Sequence, residues 1–267
     1  MRFSKLSSTI LVAASVAACA DSTGPRGTRP VTVSFTASGA SAASASLAPL
    51  TLLGSTSAAD ALVITKAQLV LSRIELQKAG ASCTSTEAAG DDNDGDQECA
   101  ELELAPTVVD LPVNGTVVSK LQVAVPTGTY SALEAKISPV HLNNEHNGKG
   151  SAAFLAAHPD LAGVSIRVEG TFNGKAFTFT SPVKAEIETK FNPPLDVTTA
   201  TPNITINADL SNWFKTSSGT LIDPATANAG GPNAELVAQN IRRSFKAFRD
   251  DDHDGHDDNR GGSGRDH

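Results

Sequence analysis

Apolar and polar positions alternate with a period of two along much of this chain. The densest apolar run, residues 61–77 (ALVITKAQLVLSRIELQ), is the one around which the others arrange themselves. Read as strand, it puts Leu62, Ile64, Val70, Ile74 and Leu76 on one face and Ala67, Leu69 and Leu71 on the other. Ile64, Ala67, Leu71 and Ile74 would also share one side of a helix, a choice that periodicity alone leaves open. The β-branched content favours two strand segments around a bend. Strand-like alternation recurs over residues 31–37, 117–125, 130–140, 183–191 and 203–210, with short apolar pieces at 101–104 and 108–112. Residues 163–181 predict a hairpin in which Asn173-Gly174 takes a two-residue turn, setting Val168 opposite Phe179 and Gly170 opposite Phe177. Pro193-Pro194 is expected to break the strand that follows the hairpin.

Helical patterns are few. Ser151 and Pro159 bracket a short helix, and Asn233 is placed to cap a longer one reaching Phe248. Along the second, Val237, Ile241, Phe245 and Phe248 would line the inner side, with Arg242, Arg243 and Lys246 outside. The expected fold class is mainly β: an antiparallel β-sandwich-like domain with a C-terminal α-helix and an acidic tail. The sandwich is assigned to residues 31–215, the loop and helix to 216–249, and an acidic, His- and Gly-rich tail to 250–267. Two polar stretches interrupt the domain, an Ala/Ser-rich loop at 38–60 and an acidic loop at 78–100.

Composition narrows the partners. A formal net charge of −8 repels phosphate backbones, which excludes nucleic acid and favours divalent cations. Aromatic content is 4%, and apart from phenylalanine only Trp213 and Tyr130 could stack on a sugar, so a glycan-stacking platform is disfavoured.

Residues 1–18 have the layout of an export signal, with Arg2 and Lys5 ahead of a short apolar core that is too short to span a bilayer. The core ends in Val16-Ala17-Ala18-Cys19, which resembles the lipobox of bacterial lipoproteins, and this makes Cys19 the candidate for lipidation and residues 19–30 a tether. The alternative is an ordinary secretory leader cleaved at Ala18 or Ala20, with Cys19 incidental. Ala20, not aspartate, follows the cysteine, which by analogy favours the outer membrane. Cys83 and Cys99 then remain as one pair, most simply a disulfide in an oxidising compartment.

In order along the chain come RIEL, a hydrophilic excursion, VVDLPVNG and LQVAVPTGTYSALEAKI. This order is similar to the bacterial lipoprotein family catalogued as domain of unknown function 4382. The residues that carry the likeness are Arg73, Glu75, Asp110, Leu111, Gly115, Pro126, Gly128 and Tyr130, within residues 31–140. The resemblance implies a β-sandwich-like exported module held by structural motifs, with no activity attached.

Acidic loops are the best chemical signal. Asp250-Asp251-Asp252-His253-Asp254-Gly255 has the D-x-D-x-D-G spacing that aims alternate carboxylates at one centre while glycine permits the sharp turn. Asp250, Asp252, Asp254 and Asp258 are its candidate ligands, and the twelfth place holds Gly261 where a calcium loop of this type has glutamate. Residues 91–96 (DDNDGD) resemble the loops of calcium-binding type 3 thrombospondin repeats, with Asp92, Asp94, Asp96 and Glu101 as candidate ligands. Both runs could instead be solvated charge. His141, Glu145 and His146 do not have zinc-protease spacing, and neither a P-loop nor a G-x-S-x-G elbow is present. The expected function is a non-enzymatic envelope or cell-surface module that binds calcium and an envelope glycan or protein partner. A hydrolase of envelope or extracellular polymers, its site hidden in the loops, is the alternative.

Overall fold

The computed structural model describes residues 27–38, 50–53, 61–80, 99–102, 105–141, 150–199 and 201–258. Its strands, in chain order, are β1 (Thr28–Ser38), β2 (Leu50–Leu53), β3 (Ala61–Lys78), β4 (Cys99–Leu102), β5 (Thr107–Leu111), β6 (Val118–Pro126), β7 (Thr129–Ile137), β8 (Ile166–Phe172), β9 (Lys175–Ser181), β10 (Ala185–Asp196), β11 (Asn203–Asp209) and β12 (Phe245–Arg249). Two helices, α1 (Ser151–Ala157) and α2 (Ala234–Arg242), accompany them. The strands form an eight-stranded sheet built on β3 and a four-stranded sheet in the order β12-β11-β1-β6. Apolar side chains from both sheets meet in one core, so the fold is mainly β and sandwich-like.

β3 is one strand of 18 residues where the sequence predicts two around a bend. It pairs with β8 in its first half and β7 in its second, and β2, β5 and β4 also pair with it. The register slips between Ile64 and Lys66 against β8, and between Leu71 and Arg73 against β7. Each extra residue reverses which face the next side chain takes. Leu62 and Ile64, then Ala67, Leu69 and Leu71, then Ile74 and Leu76 therefore all enter the same core. Strict alternation would have divided them between two faces. Val70 is turned the other way, into a small cluster with Val140, Phe154 and Leu161 beneath α1. Gly170 belongs to the first slip: a Cβ there would lie 1.9 Å from the Val63 carbonyl oxygen.

The hairpin β8–β9 has the predicted register, with Val168 opposite Phe179 and Gly170 opposite Phe177. Other elements differ from expectation. The C-terminal helix, expected to reach Phe248, stops at Arg242, and Phe245–Arg249 pair as β12 with β11. Phe245, Ala247 and Arg249 fit a strand period as well as Val237, Ile241 and Phe245 fit a helical one, and the edge of β11 supplies the hydrogen bonds that decide it. Pro193-Pro194 do not end β10; the strand continues to Asp196 with its register interrupted between Lys190 and Leu195. Gly150, not Ser151, occupies the N-cap of α1. The stretch 38–60, expected to be a loop, contributes β2. β1 and β11 run parallel, an exception in an otherwise antiparallel scheme.

Tyr130 is fully buried, and its hydroxyl donates to the Pro126 carbonyl at 2.6 Å, closing the β6–β7 corner. Arg73 pairs with Glu75, and Asp110 accepts from the Gln68 amide at 2.7 Å.

Candidate metal centre

β12 ends opposite Ile204, and the chain then turns back over the outer side of the four-stranded sheet as a strap, residues 250–258. The Asp250 N–H donates to the Asn203 carbonyl at 3.1 Å, continuing the strand pairing by one residue. Its side chain is 0% exposed. The carboxylate accepts from the Thr205 hydroxyl at 2.6 Å and from the N–H groups of Asp254 and Gly255 at 2.9 and 3.2 Å. The Asp250 carbonyl accepts from the Asn203 amide at 2.6 Å. Asn203 accepts in turn from Ser34 Oγ at 2.7 Å, and Ser34 Oγ lies 3.1 Å from Ser119 Oγ. A polar chain thus runs from β6 through β1 and β11 to the strap. Ser34, Asn203, Thr205 and Asp250 along it are all buried, so each hydrogen bond in the chain is costly to lose.

The turn itself follows from the residues in it. His253 and Gly255 have positive φ (59° and 82°), which bends the chain tightly enough for consecutive carboxylates to converge. Asp252 accepts from the Asp254 N–H at 3.3 Å, and Asp254 from the His256 N–H at 2.8 Å. Gly255 also lies against the residue just ahead of β6: a Cβ on it would come within 2.9 Å of Val117 Cγ2. The strap closes where the Asp258 N–H donates to the Arg249 carbonyl at 3.0 Å and the Asp258 carboxylate accepts from the Asp251 N–H at 2.6 Å.

Asp250, Asp252 and Asp254 each present an oxygen within 4.8 Å of the others, so the three carboxylates could hold a metal ion. Asp258 is outside that group. Arg249 is engaged by Asp251, its Nε donating at 2.6 Å, and among the described residues none of the three clustered carboxylates forms an ion pair. Burial pushes the Asp250 carboxyl above its ordinary range. Hydrogen bonds from Thr205, Gly255 and Asp254 pull it down, and the Asp254 charge pushes it up again. A divalent cation at this point would reverse the balance by favouring the ionised form.

A second group, Glu134, Glu186 and Glu188, also brings three carboxylates within 4.8 Å of one another, on the outer face of the eight-stranded sheet. The sequence pattern did not reveal it, because the register of β7 against β10 makes the contact and no local spacing encodes it. Glu75, Glu134 and Glu188 stand directly opposite one another across β3, β7 and β10. Like charges so placed are unfavourable. The next row supplies the compensation: Lys136 Nζ lies 2.9 Å from Glu134 and 3.2 Å from Glu186, and Arg73 pairs with Glu75. Burial acts to raise Glu134, but hydrogen bonds with Glu186 and Lys136 and the charges of Lys136 and Arg73 outweigh it and hold the carboxyl below its ordinary range.

Cys19, Cys83, Asp92, Asp94 and Asp96 lie outside the described residues, as do Glu145 and His146. Cys99 and Glu101 are described in backbone only, opposite Gln77 and Glu75 in the β3–β4 pair. Trp213 and Tyr130 are both fully buried, so neither offers a face to a sugar.

No family model matches the chain, and no curated protein matches it. Among solved structures it is similar to MbnP from Methylosinus trichosporium, with 16% sequence identity and a TM-score of 0.47 over 83% of this chain and 99% of that one.

Proposed function

We propose that this protein is a non-enzymatic module of the cell envelope, held by lipid on Cys19, whose C-terminal strap takes a calcium ion. The observation that carries the ion is the convergence of Asp250, Asp252 and Asp254 around a buried anchor, with no cation of their own among the described residues. Hard oxygen donors in an alternating D-x-D-x-D-G turn suit calcium better than a softer metal. With glycine in the twelfth place, affinity falls toward the weak extracellular range, with Kd on the order of 0.1–1 mM. The ion fastens the strap, and through Asp250 the strap fastens β11 and β1. The export layout of residues 1–18 and the likeness of residues 31–140 to an exported lipoprotein family support the address. A glycan or protein of the envelope is the proposed partner.

Isothermal titration of the soluble form beginning at Ala20 tests the ion. Calcium should bind at one site with submillimolar to millimolar affinity, and Asp252→Ala with Asp254→Ala should abolish it. Absence of binding at 10 mM calcium would remove the ion from the proposal. For the anchor, palmitate labelling in the native host should be lost in Cys19→Ser.

A further inference from the structure

We draw no further inference here: the strongest candidate, the group of Glu134, Glu186 and Glu188 on the outer face of the eight-stranded sheet, is an acidic cluster beside its own lysine, with no second feature among the described residues that points to a ligand.

Discussion

Among the described residues, two sets of three carboxylates each lie within 4.8 Å of one another, and they solve their mutual repulsion in opposite ways. The sheet cluster is made of residues far apart in the chain, stands partly in water, and has Lys136 bonded between Glu134 and Glu186. The strap cluster comes from alternate residues of one turn, is rooted in the fully buried Asp250, and is held by hydroxyl and N–H donors without a formal positive charge. Proximity of carboxylates is thus a poor guide to metal binding taken alone. What separates the two is whether the protein has already supplied the cation.

Removing the anchors should show the largest difference. Asp250→Ala strands the Thr205 hydroxyl proton and the Gly255 N–H and leaves the Asp254 N–H only its longer bond to Asp252, and is expected to cost about 2–4 kcal/mol in urea unfolding. Glu188→Ala, on an exposed strand position, should cost no more than about 0.5 kcal/mol. Equal losses would erase the distinction. Calcium comes next. If Kd is about 1 mM, 10 mM calcium adds about 1.4 kcal/mol to the folded state and raises the thermal midpoint by a few degrees. That rise should vanish in Asp252→Ala with Asp254→Ala and survive in Glu186→Ala with Glu188→Ala.

Taking away the resident cation sharpens the point. Lys136→Met should lower stability by about 1 kcal/mol. It should also leave Glu134, Glu186 and Glu188 open to calcium, so that the midpoint gained on adding the ion exceeds that of the parent. The smallest effect is with pH. A carboxyl held below its ordinary range contributes stability that is present above that range and is lost as pH falls through the lowered value. The unfolding difference between the parent and Glu134→Gln should therefore be under about 1 kcal/mol at pH 7 and disappear in acid below the ordinary carboxylate range. A difference that grew as pH fell would contradict the assignment.

The strap cluster was legible in sequence because its ligands are neighbours and its glycine marks the turn. The root of the strap was not legible. Asn203 and Thr205 occupy what reads as the solvent face of a strand, and nothing local says that a segment 45 residues later covers Thr205. The sheet cluster was hidden for the same reason, since it exists only once β7 and β10 are in register. The hairpin at Asn173-Gly174 was readable to the residue because its turn sets the pairing. β3 was recognised as the centre, but the slips at Ile64/Lys66 and Leu71/Arg73 were invisible to a period-two reading, and so the residues it sends into the main core were divided between two faces. The stretch after Arg242 satisfied two periods at once, and the free edge of β11 chose between them.

The parallel pairing of β1 with β11 has a consequence for the order of assembly. Ser34 meets Asn203 across 169 residues of chain, and β12 and the strap come later still. β1 therefore waits for β11, and contacts closed over such spans form slowly. The four-stranded sheet can be completed only once β12 and the strap have been made. A product ending before Phe245, even with its eight-stranded sheet intact, would leave β11 with a bare edge and Thr205 without its carboxylate partner. β12 and the strap thus act as a seal on the sheet, and a copy lacking them would expose an open strand edge to proteolysis.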